Sequence, residues 1–326
     1  MKVQTQRRIS RKPLAWASFA LACLLALPAA AWPDRQVVLA VPLGAGTSPD
    51  LVARVLAEAL QRQTGRPFVV ENRVGATGAI GTRAVIGAAP DGHTLLVTSS
   101  TLLLTPLLLP ASGYEPLTQL RPIRLLGSNP LVLVANPAAE ARTLPALLAL
   151  ARARPPGAID YGSPGGSLYL TMALMATQAG VEMNHISFRT GGDLMNALVA
   201  ATVNYAWVTQ AMAQPLVQAG RLNALAQSGA VRASDLPQVP TAAEAGLPGL
   251  VVDSWVAVFA PRALPDALAE QIDAAFGRAL AEPAAEARMR SQSIGAPRPQ
   301  GPLAEQLRME QAVWRDLVVS RGLAAQ

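Results

Sequence analysis

The chain has 326 residues, 51% hydrophobic and 15% charged, with 27 Lys+Arg against 21 Asp+Glu and one cysteine. That length exceeds a single hydrophobic core, so two lobes are expected. A lone cysteine excludes an internal disulfide framework and a cysteine-built metal site.

The first segment reads as an export signal. Lys2, Arg7, Arg8, Arg11 and Lys12 carry charge with no acid among them, an apolar run spans about 14–27, and Pro28-Ala29-Ala30-Ala31 closes it. A charged head, short apolar middle and small-residue end match a secretory signal cleaved after Ala31, which places the mature protein outside the cytoplasm. The run is shorter than the ~20 residues that span a bilayer. Arg7-Arg8 hints at twin-arginine export, but Ser10 and Arg11 stand where that signal takes apolar residues, which favours the general route. Cys23 falls inside the run and is assigned to the signal. Five of the 27 bases precede Ala31, which leaves 22 against 21 acids, a net charge of about +1 in place of +6. No nucleic-acid footprint remains.

The first strand, 37–41, empties through Pro42-Leu43-Gly44-Ala45-Gly46-Thr47-Ser48-Pro49-Asp50 into a helix predicted over 50–63. A Gly-rich turn at a helix start leaves backbone N–H groups unpaired at the positive end of the helix dipole, which suits a small anion. Gly44, Ala45, Gly46, Thr47 and Ser48 are the candidate contacts. The alternative is a tight turn that binds nothing, because glycine also serves positive φ. Asp50 would repel an anion if it pointed inward, so its expected part in the site is capping the helix or orienting water.

Strands follow at 68–71 and 94–98, with a helix at 78–88 between them. Ser99, Ser100 and Thr101 then line the floor of a cleft or merely cap the next helix; Asn72 and Thr77 are weaker candidates. After a strand at 131–135, a helix at 144–154 and a strand at 158–161, Ser163, Gly165, Gly166 and Ser167 precede a helix at 168–179. They form a second amide nest, with ordinary capping by serine as the alternative. The strand at 184–188 ends in Arg189, Thr190, Gly191 and Gly192 before a helix at 193–201, a third anion-facing turn. Arg189 there either binds a carboxylate bidentately or steers anions from the rim. Strands at 205–208 and 222–227 carry Trp207, which reads as core packing, as does Trp255. The tail is helical at 265–281, 283–293 and 302–321, each segment with proline near its first turn.

Alternating strands and helices predict α/β lobes with mainly parallel sheets flanked by helices. The expected division is 32–128 plus 253–326 for one lobe and 129–252 for the other. Crossings near 127–130 and 237–249 put the ligand cleft at the carboxyl ends of the strands. No internal repeat is visible.

Several segments match one family in order and spacing: Val41-Pro42 through Asp50, Val70-Glu71-Asn72-Arg73 with Gly75, Gly78 and Ile80-Gly81, and Ala89-Pro90-Asp91-Gly92-His93-Thr94-Leu95-Leu96. Tyr161-Gly162-Ser163 with Gly165, Phe188-Arg189, Ala219-Gly220-Arg221-Leu222, Leu236-Pro237 through Pro240-Thr241, Glu244-Ala245-Gly246, Trp255 and Ala260-Pro261 continue the match. In these pieces the chain resembles the Bug-type periplasmic solute-binding receptors of tripartite tricarboxylate transporters. The resemblance implies the two-lobe α/β fold of periplasmic binding proteins, a small organic carboxylate captured between the lobes, and inner-membrane transporter subunits as partners. It departs from the family at the first loop, where a triple-Gly run ending in Thr-Asp is usual. It departs again at Arg189-Thr190 for Lys-Gly, at Ala201-Thr202-Val203 for Gly-Gln-Val, and at Thr209, which stands where Asp or Asn is common. Thr209 enters the candidate site on that ground.

Other chemistries find little support. Tyr161 occupies the first glycine position of a Gly-x-Ser-x-Gly elbow, and a Ser163–His185–Asp193 triad rests on chain order alone. Neither the two histidines nor the Gly-rich loops offer metal or phosphate-loop spacing. The reading is a monomeric receptor for a small organic anion, without catalytic residues, metal or cofactor. A sensory co-receptor for a membrane kinase and a secreted serine hydrolase using Ser163 are the alternatives.

Overall fold

The computed structural model describes residues 32–323 apart from 129, 234, 253, 293 and 298–300. The export segment, with Cys23 and the cleavage position, lies outside the described residues. Among those residues no helix is long and apolar enough to cross a membrane.

Among the described residues ten strands form two sheets of five. The first contains β1 (Val37–Val41), β2 (Phe68–Asn72), β3 (Thr94–Ser99), β4 (Leu120–Gly127) and β10 (Val256–Pro261), in the order β2-β1-β3-β10-β4. The second contains β5 (Leu131–Ala135), β6 (Asp160–Ser163), β7 (Asn184–Ser187), β8 (Tyr205–Thr209) and β9 (Asn223–Gln227), in the order β7-β6-β8-β5-β9. Strand β1 runs parallel to β2 and β3, while β10 runs antiparallel to β3 and β4. In the second sheet β6 runs parallel to β7 and β8, while β5 opposes β8 and β9. In each sheet, therefore, every strand but one points the same way. The exceptions, β5 and β10, are the strands the chain makes immediately after crossing from the other lobe. A strand that enters at the carboxyl edge of its neighbours has to run backwards. The repeat that is absent from the sequence is present in the topology.

The same logic brings the two carboxyl edges together. Gly127, the last residue of β4, and Ser99, the last of β3, both pair with Val256. Only residues 128–130 separate Gly127 from Leu131, which pairs with Thr209 at the end of β8. The first crossing thus ends beside Thr209, and the second ends at Val256, beside Ser99.

Helices α1 (Ser48–Thr64), α2 (Ala79–Ile86), α3 (Thr101–Leu108), α4 (Pro116–Gln119), α5 (Leu144–Ala153), α6 (Gly166–Ala179), α7 (Gly191–Val199), α8 (Gln210–Gln218), α9 (Asp266–Leu280), α10 (Pro283–Ser291) and α11 (Leu303–Arg321) surround the sheets. Both sheet faces are covered, which is why the central strands are apolar at nearly every position. Val37, Leu39 and Val41 pack with Leu56 and Leu60 of α1 and Phe276 of α9, while Ala40 and Leu96 face Leu103 and Phe259. In the second lobe Leu133 and Trp207 meet Leu170 and Leu174 of α6, and Val132 and Ala206 meet Leu194 and Leu198 of α7. Leu104 of α3 and Trp314, Leu317 and Val318 of α11 join that second core, so both helices pack across the lobes.

Strands β4 and β10 and helices α4 and α8 are absent from the sequence expectation, which gives α3 only as a helix without bounds after Thr101. β4 is an edge strand, where Pro122 is tolerated beside a register shift. Pro106 lies inside α3 and Pro215 inside α8, which hides both from a helical pattern. Strand β6 sits two residues later than expected, which makes Ser163 its last residue.

Candidate functional site

Asp50 organises the turn after β1. It is 2% exposed, and its Oδ2 accepts the Gly46 N–H at 2.9 Å while Asn72 Nδ2 donates to Oδ1 at 2.9 Å. Arg54, one helical turn on, donates from Nε to both oxygens at 3.1 Å. Asn72 Nδ2 also reaches Leu43 O at 3.0 Å, and Thr47 Oγ1 donates to Gly44 O at 2.7 Å. Burial alone would raise the Asp50 pKa; the bonds from Arg54, the Gly46 amide and Asn72 outweigh it and hold the carboxyl below its ordinary 3.8. The carboxylate is therefore spent on shaping the turn. The N-cap position belongs to Thr47, which makes no side-chain cap bond. Gly46 has φ 81°, a left-handed backbone, and Gly44, Ala45 and Gly46 are exposed, with Ser48 half-buried.

The turn after β6 is built by the same device. Ser163 is 1% exposed, and its Oγ accepts the Gly165 N–H at 3.2 Å. Gly165 and Gly166 have φ 92° and 60°, which turns the chain into α6. The N–H groups of Gly166, Ser167 and Leu168 occupy the first turn, where no intrahelical acceptor exists. Ser163 Oγ also lies 2.7 Å from His185 Nε2.

The remaining candidates are arranged differently. Thr190 caps α7: its Oγ1 accepts the Asp193 N–H at 3.1 Å and donates to Asp193 Oδ2 at 2.8 Å. Thr209 caps α8, accepting the Met212 N–H at 3.4 Å. Ser99 Oγ and Thr101 Oγ1 lie 3.1 Å apart, and Ser99 and Ser100 are buried. Arg189 is exposed, beyond the edge strand β7, and Gly191 packs against Met212 of α8. Helices α3 and α6, which begin at Thr101 and Gly166, pack on each other across the lobes through the Leu104 and Leu170 cluster. The strand directions put the turns at 44–50, 99–101, 163–167 and 209 on carboxyl edges that the crossings hold side by side.

The triad is incomplete. Asp193 bonds to Thr190 and not to His185, and the buried Ser163 hydroxyl is already shared with Gly165 and His185. No cluster of metal-ligating side chains exists among the described residues. A cavity of about 340 Å³ opens beside the short crossing, lined by Ser128, Pro130, Gln210, Asp235, Met289 and Arg290 among others, and none of the turn residues lines it. Arg54, Asn72 and His185 carry more of the local architecture than the sequence reading gave them. The Asp50–Arg54 pair has the i,i+4 spacing that could have signalled it.

The sequence pattern of "Tripartite tricarboxylate transporter family receptor" matches residues 52–314. Protein BugT of Bordetella pertussis is 38% identical over 239 residues, covering 71% of this chain and 72% of that protein. The structure of MatC from Rhodopseudomonas palustris with bound malate superposes with a TM-score of 0.71 at 30% identity, covering 88% of this chain and all (100%) of that one. R. palustris Rpa4515 with adipate gives 0.73 at 27% identity, covering 90% and 99%. This chain belongs to the tripartite tricarboxylate transporter receptor family of periplasmic solute-binding proteins.

Proposed function

We propose that the chain is exported by a cleaved signal over residues 1–31 and binds a small organic carboxylate as a monomer. The ligand lies between a lobe of 32–128 plus 253–326 and a lobe of 129–252, and inner-membrane transporter subunits receive it. The observation that carries this reading is the convergence of helix-start turns from both lobes on adjoining carboxyl edges. The malate and adipate held by relatives of this fold support a ligand with one or two carboxylates. Amides at 166–168 would grip one end, with Ala45, Thr47 and Ser48 and the turn at 99–101 around the other. Charge-assisted hydrogen bonds contribute about 1.5–3 kcal/mol each. Four or five, less desolvation and closure costs, reach the roughly 8 kcal/mol of micromolar binding. Contacts to both lobes favour the closed form, which is what a transporter would recognise.

No reacting side chain is part of this account. Calorimetry and melting curves with malate, adipate and aromatic acids test it: a raised Tm with the ligand recovered unchanged is expected. Turnover of an ester or amide dependent on Ser163 would overturn it.

A further inference from the structure

His185 lies on β7, clamped between two tyrosines. Its ring stacks on Tyr161 of β6 with centroids 5.1 Å apart and planes at 30°, and tilts against Tyr169 of α6 at 4.6 Å and 46°. Nε2 is 2.7 Å from Ser163 Oγ, which in turn accepts the Gly165 N–H at 3.2 Å. An amide can only donate, so when the neutral ring carries its hydrogen on Nδ1 the hydroxyl proton goes to Nε2 and none is left for a ligand. Ser163 itself is sealed from solvent, but the far side of the ring is not. A cavity of about 370 Å³ reaches it, lined by Tyr161, Tyr169, Glu182, Met183, His185 and Arg321 among others. The charged groups that line this cavity with the ring are Glu182, from the turn before β7, and Arg321, from the end of α11. Protons therefore reach His185 from a face remote from the amide nest.

We propose that His185 is a positioning residue of the carboxylate site, which sets the orientation of the Ser163 hydroxyl at the start of α6 and couples ligand affinity to pH. With the neutral ring in its Nδ1–H form, a second proton turns Nε2 from acceptor into donor. Ser163 Oγ then accepts from both His185 and Gly165, and its own hydrogen is released toward the carboxyl edge of β6. A positive charge appears behind the nest at the same moment. Both changes favour an anion, so affinity rises as pH falls, and by linkage the bound anion raises the His185 pKa. Burial pushes the free imidazole below its ordinary 6.5, offset in part by a hydrogen bond to the Ser163 backbone, so the rise falls below that pH.

This inference rests on the receptor reading above, and the experiment separates the two. Titrate malate and adipate calorimetrically between pH 5.5 and 8.0 into the wild type and His185→Gln, and follow the His185 ring by NMR with and without ligand. The protein has only two histidines, which simplifies assignment. Wild-type affinity should rise about fivefold across the range relative to His185→Gln, which carries the same ligand protonation but no ring charge. The His185 pKa should be higher in the loaded protein. Parallel pH profiles in the two proteins, or an unchanged His185 pKa on loading, would overturn the proposal. If His185→Gln does not fold, the wild-type NMR titration decides alone. Wild-type protein that binds no carboxylate at any pH overturns the receptor reading, and this proposal with it.

Discussion

Asp50, in the first turn of α1, and Ser163, the last residue of β6, do the same job in the two lobes: each buried side chain accepts the N–H of a positive-φ glycine at the mouth of a helix, Gly46 at 2.9 Å and Gly165 at 3.2 Å. The two lobes arrive at one solution with different chemistry, a carboxylate braced by Arg54 and Asn72 and a hydroxyl braced by His185. In both, one amide is consumed to fix the turn while those beside it keep their direction.

Replacing Asp50 should loosen the first turn without unfolding the lobe. Asp50→Asn loses the charged bonds to Arg54, and because Arg54 is half-exposed the cost is about 1–2 kcal/mol in urea unfolding at neutral pH. Ligand affinity should fall by about tenfold or more, since the turn is no longer held. The folded Asp50 pKa is depressed, so its stabilisation is complete above the unfolded value of 3.8 and is lost as pH falls through the folded one. The stability gap between wild type and Asp50→Asn should therefore be constant near neutrality and close below pH 3.8.

Gly46→Val and Gly166→Val probe the nests directly. An added Cβ meets nothing within 4 Å at either position, so the packing survives, but φ of 81° and 60° is strained for a β-branched residue. A cost of about 1–3 kcal/mol is expected, read as a modest drop in Tm. Carboxylate binding should be lost from both variants in calorimetry; unchanged affinity in both would contradict the amide account.

Arg189→Ala distinguishes a gripping guanidinium from a steering one. Arg189 is exposed beyond the outermost strand, which favours steering. The association rate should fall severalfold at low salt and recover toward wild type at high salt, with the dissociation rate unchanged in stopped-flow traces. A faster dissociation rate would place Arg189 on the ligand.

Much of this architecture was legible beforehand. Strands at 37–41 and 131–135 coincide with expectation because both are buried runs bounded by turn residues. Turns at 44–50 and 163–167 were legible as turns because glycine and serine gather there between a strand and a helix. The strand Val256–Pro261 was not legible: a short apolar run ahead of three helices carries no period of its own. The reversed direction of β5 and β10 follows from the crossings, which only long-range pairing defines. Nor could spacing reveal that His185, 22 residues from Ser163, would take its hydroxyl, since the parallel register of β6 and β7 brings them together.

Glu310 joins the tail helix to the lobes. Its Oε2 accepts Trp255 Nε1 at 2.7 Å and its Oε1 accepts Trp314 Nε1 at 3.1 Å, both indoles being buried. Trp255 packs in the first lobe and Trp314 in the core shared with the second. Glu310→Ala orphans both N–H groups and should cost about 2–4 kcal/mol, with a shift in tryptophan emission on urea titration at lower midpoint.

The amide-nest account is tested most directly by a crystal structure of the protein soaked or grown with malate or adipate. It predicts a carboxylate within about 3 Å of the N–H groups of residues 166–168, with the far end of the ligand against the turn at 44–48 or 99–101. A ligand seated instead in the cavity beside Ser128 and Arg290, with both turns untouched, would contradict it.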